Sequence, residues 1–173
     1  SANTGARLWI INKAPFYAGG AASFTVHDPF SLAGVAGWDT LQPAHVLGTS
    51  GMGSITGTFL VSAGWSSGSD DQLSVIRVDN PLLASPTFVN QFIDLGVIHN
   101  GGSVPGASQS GTGSLIDAGD TRALQAVWRN NRLYAVNTIA PPSGANANQA
   151  TAHWYEVDTS NLSSLTLLQQ GDI

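Results

Sequence analysis

Apolar and polar residues alternate with a period of two in three separated stretches of the chain. Ser23-Phe24-Thr25-Val26-His27-Asp28-Pro29, Val75-Ile76-Arg77-Val78-Asp79-Asn80-Pro81 and Trp154-Tyr155-Glu156-Val157-Asp158-Thr159 each run apolar, polar, Val, polar and then into a turn. Such alternation marks a strand with one face buried. Aligning the stretches predicts that Val26, Val78 and Val157 are equivalent buried positions, as are Phe24, Ile76 and Tyr155 two residues earlier.

A second strand lies upstream of each: Arg7-Leu8-Trp9-Ile10-Ile11, Thr58-Phe59-Leu60-Val61-Ser62 and Arg132-Leu133-Tyr134-Ala135-Val136. Leu8 and Phe59 are 51 positions apart and Val26 and Val78 are 52 apart, whereas the next intervals are 74 and 79. The third unit is therefore the same unit with an insertion, visible as the Gly/Ser-rich stretch at about 99–114, which reads as an aperiodic loop. Outer strands follow at Phe88-Val89-Asn90-Gln91-Phe92-Ile93 and Leu165-Thr166-Leu167-Leu168-Gln169. Ala123-Leu124-Gln125-Ala126-Val127-Trp128 leads through Asn130-Asn131 into the Leu133 strand, and Asn tolerates the positive φ angles of a tight hairpin.

Four antiparallel strands in roughly 50 residues is the content of a propeller blade. The expected fold is all-β, with about three four-stranded blades at 1–47, 48–97 and 114–173 forming a single repeat module; a β-sandwich is the alternative. Gly119-Asp120-x-Arg122, Asn131-Arg132-Leu133-Tyr134-Ala135-Val136 and Trp154-Tyr155-Glu156-Val157-Asp158 give the whole chain a resemblance to part of a bacterial secreted β-propeller of the sialidase-like or related exported type. Three blades are too few to close a ring, since propellers take about four to eight. The expected partners are therefore the remaining blades, from the parent chain, a second chain or a symmetry mate. They would cover apolar faces around Trp9, Ile11 and Phe24 at one end and Tyr134, Val136 and Tyr155 at the other.

Composition narrows the function classes. Only 10% of the 173 residues are charged, with ten Asp against one Glu and five Arg against one Lys, so good helix formers are scarce and helix should stay under about a tenth. The net charge is −5 and the cations are scattered, which leaves no basic strip for a nucleic-acid backbone. There is no cysteine, hence no disulfide, thiolate nucleophile or zinc–thiolate centre. No apolar run of about 18 residues predicts membrane insertion. The Lys/Glu-poor, Asn/Thr/Ser/Gly-rich character points to an extracellular or periplasmic location, with Ser1-Ala2-Asn3 fitting a processed end and Asn161-Leu162-Ser163 the glycosylation acceptor pattern.

Several residues are candidates for chemistry. Asp70 and Asp71, in Ser66-Ser67-Gly68-Ser69-Asp70-Asp71-Gln72, combine carboxylates with nearby hydroxyls and could hold a structural calcium ion; a solvated hairpin turn is the plainer reading. In Asp117-Ala118-Gly119-Asp120-Thr121-Arg122, Asp120 or Asp117 would serve an enzyme as general base or ligand and Arg122 as an anion clamp, against a structural ion pair. His27, His45, His99 and His153 lack metal-binding spacing, and Gly51-Met52-Gly53-Ser54 resembles a nucleophile elbow only in composition. Of Trp9, Trp38, Trp65, Trp128 and Trp154, the residue expected to be exposed for carbohydrate stacking is Trp65, beside the Gly-Ser loop. No cofactor is expected beyond that possible calcium. Together these features predict a non-catalytic binding or structural module of an exported protein. The alternative is a fragment of a propeller glycoside hydrolase or polysaccharide lyase, in which Asp70, Asp117 or Asp120 would act with groups from further blades.

Overall fold

The structure is a computed structural model that describes residues 5–35, 40–51 and 53–173. Ser1-Ala2-Asn3, Trp38 and Met52 lie outside the described residues. The chain is all-β: of the described residues, 48% are in strands and 5% in helix. The helical part is two single turns, α1 (Ala14–Tyr17) and α2 (Pro29–Leu32), the latter capped by Asp28, whose carboxylate accepts from the Ser31 N–H and pairs with Arg7 at 2.8 Å.

Three layers stack. The first is a hairpin of β1 (Leu8–Asn12) and β2 (Ser23–His27), accompanied by α2. The second is a four-stranded sheet in the order β3-β5-β6-β7, with β3 at Gln42–Pro43, β5 at Thr56–Ser67, β6 at Asp70–Asp79 and β7 at Thr87–Gly96. The third contains β10 (Gln125–Arg129), β11 (Arg132–Ile139), β12 (Thr151–Asp158) and β13 (Thr166–Asp172), all antiparallel. β4 (His45–Leu47) joins the third sheet, parallel to β10. β3 and β4 are separated only by Ala44, so one extended segment leaves the second sheet and enters the third.

This arrangement differs from the expected set of about three four-stranded blades. Two units have four antiparallel strands, whereas the first is a hairpin among the described residues, because β3 and β4, which lie within 1–47, pair with the two sheets that follow. The sheets are open. The 99–114 stretch is not wholly aperiodic either: Ala107–Ser108 (β8) pairs with Leu115–Ile116 (β9) in a small separate hairpin.

The turns follow their residues. Asn130 and Asn131 adopt φ of 51° and 58° between β10 and β11, and Gly68 has φ of 63° where β5 turns into β6. Gly64 sits in a bulge of β5 with φ of 85°, and a Cβ there would meet Thr121 Oγ1 at 2.7 Å. Only glycine satisfies both the backbone conformation and the close approach of Thr121, in the segment leading to β10.

The larger core lies between the second and third sheets, where Phe59, Val61, Leu73, Val75 and Ile93 meet Trp128, Leu133, Ala135, Tyr155 and Val157. The smaller core lies between the first layer and the opposite face of the second sheet, where Phe30, Leu8 and Ile10 pack on Leu60, Ile76 and Val78. The equivalence of Val78 and Val157 thus holds: each is buried, and each faces the layer before its own, as do Ile76 and Tyr155. Val26 and Phe24 are the exception, 43% and 60% exposed on the outside of the hairpin opposite Trp9 and Ile11. Their direction obeys the repeat, but the described chain has no layer before the first.

The first-strand alignment slips in the third unit. Phe59 pairs with Arg77 and faces forward, whereas Leu133 pairs with Val157 and faces back. A shift of one residue moves every side chain to the other face. For the same reason Trp154, not Tyr155, lies with Tyr134 and Val136 on the outer side of the third sheet, and Tyr155 is buried between sheets.

Candidate functional site

The insertion and the bulge in β5 bring the ends of the two sheets together around a cleft of about 250 Å3. Its polar wall contains Asp71, His99, Asn137 and Tyr155; Leu95, Ile98 and Ile139 make the apolar wall. Asp71 reaches it because β6 alternates, placing Asp71 on the same face as the core residues Leu73 and Val75. Asp71 Oδ2 accepts the backbone N–H groups of Ile98 and His99 at 2.9 and 2.8 Å, which fixes the segment leaving β7.

His99 is held by both ring nitrogens. The Ala140 N–H donates to Nδ1 at 3.0 Å, so Nδ1 is unprotonated and Nε2 carries the hydrogen that it gives to the Gly102 carbonyl at 2.7 Å. The imidazole thereby staples the insertion to the end of β11. Deeper in, the Tyr155 hydroxyl donates to Asn137 Oδ1 at 2.8 Å, and Asn137 Nδ2 donates to the Thr121 carbonyl at 2.9 Å. Asn137 is 2% exposed and Tyr155 1%, so this chain of bonds is what makes two buried polar side chains tolerable.

Burial raises the Tyr155 phenol above the ordinary tyrosine value, and the nearby Asp71 carboxylate adds to the rise. The folded state therefore holds the phenolic proton more tightly than the unfolded chain. The resulting stability is complete below about pH 10, the unfolded value, and is lost as pH climbs through the folded one. The urea midpoint is expected to fall from about pH 10 upward. Tyr155→Phe, which leaves Asn137 Oδ1 without its donor, should cost about 1–3 kcal/mol at neutral pH and flatten that alkaline decline. An unchanged alkaline slope in the Phe variant would contradict the assignment.

The residues singled out from sequence are dispersed. Asp70 follows the Gly68-Ser69 turn and accepts from the Ser69 hydroxyl, while its neighbour Asp71 points to the opposite face of β6, so the two carboxylates do not converge. No group of three or more His, Cys, Asp or Glu side chains that could hold a metal ion occurs among the described residues. Asp120 and Arg122 form a forked ion pair, with Nη2 to Oδ2 at 2.7 Å and Nε to Oδ1 at 2.8 Å, and Arg122 also reaches Thr40 Oγ1. The Arg122 hydrogen bonds hold the Asp120 carboxyl below the usual carboxylate range, which weakens it as a base. Asp117 accepts from the Gly119 N–H in the same exposed turn.

Trp65 corrects the expectation of an exposed platform. The bulge between Ser62 and Trp65 turns its ring onto the smaller core, between Phe30 and Phe92 at 5.9 and 5.3 Å, and its N–H donates to the Ser62 hydroxyl. Trp128 is buried, whereas Trp9 is 58% exposed beside Phe24. His27 pairs with Thr25, His153 is buried against Asp172 at 2.7 Å, and His45 lies exposed on β4. At the opposite end of the sheets a wider hollow of about 480 Å3 is lined by Thr49, Ser50, Asn130, Asn131 and Ser160, and its described lining has no titratable side chain.

Asn137, Tyr155 and His99 were missed by motif reasoning. A signal existed for the first: in Leu133, Ala135, Asn137, Ile139 an amide occupies the buried parity of a strand. No such signal marks His99, whose role depends on where the insertion folds. Among the described residues no helix is long and apolar enough to cross a membrane. No protein-family model, curated protein or solved structure matches this chain.

Proposed function

We propose that the chain is a non-catalytic binding or structural module of an exported protein, built as a propeller-like stack of β layers that continues beyond both ends. The observation that carries this reading is the pair of apolar outer faces. Trp9, Ile11, Phe24 and Val26 form one, each at least 43% exposed. On the other, Val127, Val136 and Trp154 line a shallow hollow of about 180 Å3 beside Tyr134. Such outward-facing apolar side chains, exposed on the hairpin and half-buried around Trp154, fit surfaces that a further layer covers. The candidate carboxylates support the same reading, because Asp71 Oδ2 accepts the Ile98 and His99 backbone amides and both oxygens of Asp120 are held by Arg122.

Further layers from the parent polypeptide, a second chain or another copy would cover these faces. Light scattering of the purified chain is expected to give a mass above 17.9 kDa, reduced by Trp9→Asp or Trp154→Asp without loss of strand content. A stable lone monomer of 17.9 kDa would overturn the proposal in favour of a self-contained sandwich.

A further inference from the structure

The cleft between the sheets lies apart from the two outer faces, and its charge is unbalanced. Asp71 forms no ion pair among the described residues; its recorded bonds are the two backbone amides on Oδ2, which leaves Oδ1 for another donor. No Lys or Arg belongs to the described lining, and the remaining ionisable groups there, His99 and Tyr155, are an imidazole with both nitrogens engaged and a phenol kept protonated by burial. The hydroxyls of Ser66 and Thr121 also line the cleft and make no side-chain hydrogen bond to a described residue. The site is thus a carboxylate with hydroxyl acceptors at one side and the hydrocarbon of Leu95, Ile98 and Ile139 at the other.

We propose that this cleft binds a small alkylammonium compound, its nitrogen on Asp71 and its carbon chain against Leu95, Ile98 and Ile139. A carboxylate partly removed from water favours a cation that also donates hydrogen bonds. A primary ammonium has three donors, which suits one carboxylate oxygen together with hydroxyls. A calcium ion would need about six to eight oxygen ligands, and even three converging His or acidic side chains are not found among the described residues. Anions are disfavoured by Asp71. At about 250 Å3 the space is below the roughly 300 Å3 lower bound of drug-sized sites, which limits the ligand to a few carbons. This inference goes beyond the module reading and does not depend on what covers the outer faces.

The test uses the whole chain, propylammonium chloride and its neutral counterpart propan-1-ol, followed by amide NMR titration. Propylammonium is expected to shift the Ile98–Gly102 and Thr121 amides saturably, with propan-1-ol at least tenfold weaker. Asp71→Asn keeps a carbonyl oxygen for the Ile98 and His99 amides while removing the charge, and should weaken propylammonium at least tenfold. Absence of saturable shifts, equal binding of the alcohol, or undiminished binding by a folded Asp71→Asn chain would each overturn the proposal. The comparison of the two ligands on the unaltered chain decides the matter if the variant fails to fold.

Discussion

Val78→Asp is expected to unfold the chain, whereas Val26→Asp, at the matching position of the repeat, should leave it folded. Val78 is 1% exposed and packs with Phe30, Leu60, Ile76 and Phe88. A carboxylate placed there would have to be buried without a partner, at a cost of several kcal/mol, comparable with the whole stability of about 5–15 kcal/mol. Val26 is 43% exposed on the outside of the hairpin, where surface substitutions usually change stability by no more than about 0.5 kcal/mol. Circular dichroism and urea titration of the two variants make the comparison. A folded Val78→Asp chain with an unshifted midpoint would refute the packing of the first layer on the second. If a further layer covers the hairpin, Val26→Asp would break that assembly instead, and light scattering would show it.

Trp128→Ala should cost about 3–5 kcal/mol, the range for emptying a large aromatic site in a core. Its ring stands edge-on to Phe59 with centroids 4.9 Å apart, which joins the second and third sheets, and its N–H donates to the Thr159 hydroxyl at 2.9 Å. Both the cavity and the orphaned hydroxyl oppose folding. Trp128→Phe keeps part of the volume and should lose less, because only the indole's outer ring and its hydrogen bond disappear. A loss under about 1 kcal/mol in the Ala variant, measured by urea unfolding, would mean that the two sheets do not depend on this contact.

The all-β character and the strands near Val78 and Val157 were legible in the sequence, because a half-buried strand imposes its period of two on any chain that forms it. The Asn130-Asn131 hairpin was legible for a similarly local reason, since few residues tolerate two successive positive φ angles. Partnership was not local. The alternation at Phe24 and Val26 encodes a face that needs covering but does not say by what, and the same pattern leaves Val78 at 1% and Val26 at 43% exposure.

The cleft shows the same division. Asp71 stood out in sequence as one of two adjacent carboxylates, yet the pleat of β6 separates it from Asp70, and its bonds run to the Ile98 and His99 amides 27 and 28 residues away. Trp65 looked like the edge of an exposed loop until a single bulge turned it onto Phe30 and Phe92. By itself the sequence determined the period of the strands and the tight turns, which are settled by steric and solvent preferences over a few residues. Tertiary structure alone decided which sheet β3 and β4 join, which face of each layer is covered and which polar groups share the cleft, because those depend on contacts between segments that no local pattern links.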